Sequence, residues 1–145
     1  METIAEPMTH DHRQCDERFV ATEQAVMNKA WHDAERLVAA FGSAMTRHFT
    51  TEEEQLFPAM EDASGQASAP IRIMTMEHDQ MRHLIARLAS AIGERDRTAA
   101  LDASETLLVI MQQHNMKEEH VLYPMADRLV PALAERIAQD ITEPC

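Results

Sequence analysis

Apolar residues recur along this chain at spacings of three, four and seven, with charged and polar residues between them, which is the signature of helices that each turn one stripe inward. Phe19 and Val26 belong to one stripe, and Leu37, Val38, Phe41 and Met45 to a second. Ile73, Leu84, Ile85 and Leu88 mark a third, and Leu107, Leu108 and Met111 a fourth. The pattern predicts helices over residues 8–27, 31–62, 70–92 and 97–127, with a short C-terminal helix over about 131–140 behind Pro131. Asn28 and Gly93 mark turns or helix C-caps, and the small polar stretch from Asp62 to Pro70, with Gly65 inside it, reads as a connection. Short turns make sequential helices antiparallel neighbours, so the expected fold is all-α: an up-and-down antiparallel four-helix bundle with a short C-terminal helix. Pro58 and Pro124 fall inside helical patterns and are expected to kink or end the second and fourth helices.

The chain also repeats itself. His48-Phe-Thr-Thr-Glu52-Glu53-Glu-Gln-Leu56-Phe57-Pro58 returns 66 residues later as His114-Asn-Met-Lys-Glu118-Glu119-His-Val-Leu122-Tyr123-Pro124. The same shift carries Asp11-His12 onto Glu77-His78, and the break around Met27-Asn28-Lys29 onto Gly93-Glu94-Arg95. Residues 1–145 therefore read as one domain made of two pseudo-repeated helical hairpins, at about 8–62 and 70–127.

Positions i and i+4 of a helix project from one face, roughly 6 Å apart along the axis, so His48 with Glu52 and His114 with Glu118 point the same way. Two facing buried glutamates repel and neutralise unless positive charge lies between them, and metal cations supply it. Imidazole and carboxylate without thiolate suit Fe, Mn or Zn and argue against iron–sulfur clusters or Cu(I). Inward Glu and His from four helices is how helical bundles form dinuclear carboxylate sites. The duplication predicts two histidines for each ion, with Glu52 and Glu118 bridging, from the set His12, His48, Glu52, His78, His114 and Glu118. A solvent-derived bridge would still leave room for an exogenous ligand, and an open position distinguishes a functional metal site from a closed structural one.

Composition narrows the partners. Only three glycines within a 45% hydrophobic chain, rich in Ala, Leu and Met, fits helices, and 145 residues suffice to bury roughly 70% of the unfolded surface without staples. A formal charge of -12 repels phosphate backbones and anionic lipids, so neither nucleic acid nor a membrane surface is an expected partner. No run of 18 apolar residues and no apolar leader is present, which makes the cytoplasm the expected location. Cys15 and Cys145 form no disulfide framework and no CxxC pattern.

In the elements Asp11-His12, His48-x3-Glu52-Glu53-x2-Leu56-Phe57-Pro58, Glu77-His78-Asp79 and His114-x3-Glu118-Glu119-x2-Leu122-Tyr123-Pro124, the chain resembles the hemerythrin-like family, or HHE cation-binding domain, over nearly its whole length. The resemblance implies two iron ions with an oxo or hydroxo bridge, Zn or Mn being substitutes, and O2 or NO as the small ligand. It further implies a redox or client protein acting in trans. Iron-centre repair, iron donation, Fe(II) or peroxide oxidation, and a structural metal-binding bundle are the alternatives. No catalytic base or substrate pocket stands out, so a metal- and gas-binding protein is expected ahead of an enzyme. Oxygen carriers of the family have a fifth histidine one turn after the third-helix ligand. Here that position is Arg82, and His83, about 140° from the face of His78, should point away.

The remaining histidines, His10, His32 and His120, are expected at the surface, with His10 the substitute for His12 if the first helix is rotated. Glu53 and Glu119 are read either as acceptors for ligand imidazole N–H groups or as surface charge. Cys15 is read as a buried small hydrophobe or as an oxidation-responsive thiol. Tyr123 and Phe57 are read as core aromatics, with the Tyr123 hydroxyl also able to donate a hydrogen bond near the metals.

Overall fold

A computed structural model describes residues 2–142, and among them the regular structure is entirely helical. Helix α1 (Ala5–Met27) is followed by α2 (Trp31–Thr51), which continues through a π-helical turn (Glu52–Leu56) into α3 (Phe57–Ala63). Helix α4 (Ser68–Gly93) is followed by α5 (Arg97–Lys117), which continues through a second π-helical turn (Glu118–Leu122) into α6 (Tyr123–Leu129). After a 3-10 turn (Pro131–Leu133), α7 (Ala134–Thr142) completes the described chain. These are the four long rods and short C-terminal helix of the expected bundle. Cys145 lies outside the described residues.

Both hairpins turn by one mechanism. Lys29 and Arg95 adopt left-handed backbone conformations with φ of 57° and 58°. At the first turn Lys29 N–H donates to the Val26 carbonyl and Ala30 N–H to that of Ala25. At the second, Arg95 donates to Ile92 and Asp96 to Ala91. This is the Schellman closure, which satisfies carbonyls orphaned at a helix end. The left-handed residue is thus one beyond Asn28 and two beyond Gly93, the residues whose chemistry marks the turns in the sequence.

The rods begin and end slightly outside their expected limits. Helix α1 starts at Ala5 and not at 8, because Pro7 occupies the first turn, where its missing N–H is not needed, and Asp127 of α6 accepts from the Ile4 and Ala5 N–H groups at 2.6 and 3.3 Å. Pro58 and Pro124 do not end their helices. Each occupies the second position of the α segment that follows a π turn, where the widened ladder runs from Phe57 N–H to the Glu52 carbonyl and from Tyr123 N–H to the Glu118 carbonyl.

Apolar side chains form two clusters. Phe19, Val26, Phe41, Phe49, Met81, Leu88, Leu107 and Met111 are among those filling one, and Ile4, Met8, Leu56, Met60, Ile71, Met74 and Leu122 are in the other. Helix α7 lays Ile137 and Ile141 into the second cluster and is tied down by a hydrogen bond from the Gln55 amide to Asp140. On α1, α4 and α5 the candidate-site histidines His12, His78 and His114 lie between the two clusters, as Glu52 does just beyond α2.

Candidate metal centre

The bundle brings all six candidate residues into one layer. His12 on α1, His48 on α2, His78 on α4, His114 on α5, and Glu52 and Glu118 at the starts of the two π turns are all buried, the glutamates completely. Six ionisable side chains withdrawn from water are costly unless something compensates them.

Part of the compensation is a carboxylate behind each imidazole. His12 Nδ1 meets Glu119 Oε2 at 2.7 Å, His48 Nδ1 meets Asp11 Oδ2 at 2.8 Å, His78 Nδ1 meets Glu53 Oε2 at 2.6 Å, and His114 Nδ1 meets Glu77 Oε1 at 2.9 Å. The four pairs obey the shift of 66 residues: His12 with Glu119 maps onto His78 with Glu53, and His48 with Asp11 onto His114 with Glu77. With each Nδ1 engaged as donor, each ring is fixed so that Nε2 faces the middle of the layer, where loss of its proton would free a lone pair for a metal. Glu53 and Glu119 thus accept from imidazoles, the first of their two readings. Asp11 and Glu77 were given no such role by sequence reasoning, although both are acids placed immediately before the histidines at the repeat offset.

The inward atoms fall into two groups. Glu52, His78, His114 and Glu118 each offer a donor atom within 4.8 Å of the others, as do His12, His48 and Glu118, and either group could hold a metal ion. Each hairpin therefore supplies both imidazoles of one group. Glu52 places Oε1 3.0 Å from His78 Nε2 and Oε2 3.5 Å from His48 Nε2, so its carboxylate reaches both groups. Glu118 Oε1 lies 3.0 Å from His12 Nε2 and 3.3 Å from His114 Nε2. Several of these atoms approach without bonding one another: His78 Nε2, His114 Nε2, Glu52 Oε1 and Glu118 Oε2 are buried and have no hydrogen-bond partner. Buried donors aimed at a shared centre and left unpaired, with no thiolate among them, fit divalent or trivalent first-row metal ions.

The charges lean the same way. Burial opposes ionisation of Glu118, but the His114 charge and surrounding hydrogen bonds outweigh it and hold its carboxyl well below the usual range. Burial likewise opposes protonation of His48, yet the Glu52 charge and the hydrogen bond to Asp11 raise its pKa well above the ordinary value. His78, against the same penalty, is raised to about 9 by the Glu52 and Glu53 carboxylates beside its ring. Without metal, protons take up the neutralising role, and binding a cation would release them.

Tyr123 enters the site as well. Its hydroxyl lies 2.7 Å from Glu52 Oε2, 2.9 Å from Glu118 Oε1, 3.1 Å from His48 Nε2 and 3.2 Å from His12 Nε2. Five residues of α-helix advance about 500°, which would place Tyr123 some 140° from Glu118. The π turn closes nearly one revolution in five residues, returning Tyr123 to the face of Glu118. Burial, followed by the Glu118 and Glu52 carboxylates, pushes the phenol pKa well above its usual value. At the equivalent place in the other hairpin Phe57 stacks on His78 at 5.9 Å, as Tyr123 stacks on His12 at 5.6 Å.

The other candidates lie elsewhere. His10, His32, His83 and His120 are exposed. Arg82 donates to Glu53 and Asp79 at 2.8 and 2.9 Å and lies over the Phe49 ring, so it braces the carboxylate behind His78. A guanidinium has no lone pair to offer a metal. Cys15 is buried in the first apolar cluster, and burial pushes its thiol up to about 11, the condition of an inert structural cysteine.

An all-helical bundle with a buried, twofold-repeated layer of imidazoles and carboxylates defines a cation-binding helical protein. The hemerythrin HHE cation-binding domain model matches residues 3–126, and the chain belongs to that family. No curated protein and no solved structure matches the chain.

Proposed function

We propose that the layer holds two iron ions, ligated by His12, His48, Glu52, His78, His114 and Glu118, and that the protein binds or senses O2 or NO at a coordination position left open by these residues. The observation that carries this reading is the set of four Nδ1–carboxylate pairs, which aim four Nε2 atoms at two shared glutamates. Iron supplies the redox change and the affinity for diatomic gases when bound. The protein's part is to fix the rings, balance charge and exclude water. Asp11, Glu53, Glu77 and Glu119 hold imidazole orientation and raise ring basicity, the two apolar clusters close the layer above and below, and Arg82 with Lys117 keeps Glu53 and Glu77 in place.

The chain contains no helix long and apolar enough to cross a membrane among its described residues. Its acidic surface suits a cytoplasmic protein working with a redox or client protein partner.

The test is anaerobic purification followed by exposure to O2 and, separately, NO, with visible spectra taken before, during and after gas removal. New absorption that reverses on removal supports gas binding. A protein that loads iron but gives no spectral response to either gas contradicts it, and rapid irreversible oxidation by O2 with no NO response shifts the assignment to iron repair or oxidase chemistry.

A further inference from the structure

The two halves of the centre differ in donor chemistry at one place. The shift of 66 residues that relates the histidines, glutamates and outer carboxylates brings Phe57 onto Tyr123. One half therefore contains an oxygen that the other lacks.

That oxygen lies among too many partners for a hydroxyl alone. A phenol has one proton to donate and two lone pairs, yet four donor atoms surround this oxygen at 2.7 to 3.2 Å: Glu52 Oε2, Glu118 Oε1, His48 Nε2 and His12 Nε2. Ligands about 2.1 Å from a metal, at right angles, lie about 3.0 Å from each other. An apical ligand is a neighbour of all four atoms of the base at once, and the Tyr123 oxygen has that relation to these four. Within the base, His12 Nε2 and Glu118 Oε1 are 3.0 Å apart, His48 Nε2 and Glu52 Oε2 are 3.5 Å apart, and His48 Nε2 and Glu118 Oε1 are 3.8 Å apart, the longest of these spacings.

Resting on the di-iron reading above, we propose that Tyr123 is a further protein ligand to the ion held by His12 and His48. The two ions are then inequivalent, and the open position belongs to the ion held by His78 and His114, where Phe57 offers no donor. On ligation to iron(III) the phenol O–H bond breaks, the oxygen lone pair goes to the metal, the proton leaves to the buffer, and no electron is transferred. The π turn at Glu118–Leu122 is the device that makes this possible, since it returns residue 123 to the ligand face.

The chain has a single tyrosine, so any tyrosinate signal is Tyr123. The experiment is to load the full chain with iron, oxidise it, count iron, and record visible absorption and resonance Raman spectra of wild type, Tyr123→Phe and Phe57→Tyr. The expected result is two irons per chain in wild type with a phenolate-to-iron(III) charge-transfer band and phenolate ring modes. Tyr123→Phe should retain iron and lose both signals, and Phe57→Tyr should strengthen them. Two irons in wild type without phenolate modes would overturn this inference and leave the di-iron reading standing. A wild-type chain that binds no iron would overturn both.

Discussion

Replacing Asp11 with Asn separates the outer carboxylates from simple packing. Asp11 is 2% exposed, and its Oδ2 lies 2.8 Å from His48 Nδ1, whereas the side chain of Glu119, which serves His12, is 32% exposed. Asp11→Asn keeps the shape and an oxygen acceptor but removes the charge. A hydrogen bond to a charged group contributes about 1.5–3 kcal/mol and a neutral one about 0.5–1.5 kcal/mol, so the loss is about 1–1.5 kcal/mol. That corresponds to roughly a tenfold weaker hold on an ion placed at His48, within the range for outer partners of metal-ligating histidines. Solvent screening at Glu119 makes Glu119→Gln the milder change, roughly twofold to threefold. Competition with a chromophoric chelator resolves the two ions as two phases. The expected outcome is one phase weakened about tenfold by Asp11→Asn and the other unchanged. Equal weakening of both phases, or no change beyond twofold in a variant with native circular dichroism, would refute the role given to Asp11.

The other predictions concern the scaffold. Lys29→Gly, at a left-handed φ of 57°, should stabilise the fold by about 0.5–1 kcal/mol in urea denaturation, and Asn28→Gly, at φ -86°, should not. The reverse order would contradict the turn geometry. Gly42 lies in mid-α2 with no positive φ, and an added Cβ meets Ile85 Cγ2 at an ordinary 3.6 Å. Gly42→Ala should therefore raise the melting temperature by about 2–3 °C, and a fall would show the helix contact to be tighter than described. With its thiol raised from 9.0 to about 11, Cys15 should react with iodoacetamide at pH 8 about a hundredfold more slowly in folded than in unfolded protein. The comparison is made in a Cys145→Ser background, and equal rates would contradict the burial of Cys15.

Much of this arrangement was legible in the residues because a helix converts spacing into direction. The repeat alone puts His12, His48, His78 and His114 into register, and i to i+4 spacing puts Glu52 and Glu118 on the same faces. The same reasoning pointed His83 outward. What escaped it was what breaks the period. A rule of about 100° per residue has no place for a π turn, so it makes Pro58 and Pro124 kinks or helix ends and leaves Tyr123 between core packing and a hydrogen bond near the metals. Asp11 and Glu77 escaped for another reason. Each serves a histidine on the neighbouring helix of its own hairpin, His48 and His114, and not the histidine beside it in sequence. The turn residue escaped similarly, because the Schellman bonds place the left-handed position by register with the helix end and not by composition.

Metal analysis of the chain after anaerobic loading with iron(II), carried out alongside Glu52→Ala and Glu118→Ala, bears most directly on the claim that the buried layer is a dinuclear centre. A dinuclear centre requires two ions per chain in wild type and loss of at least one ion in each variant, with helical content retained. Full stoichiometry in both variants, or a wild-type chain that takes up no metal, would contradict it.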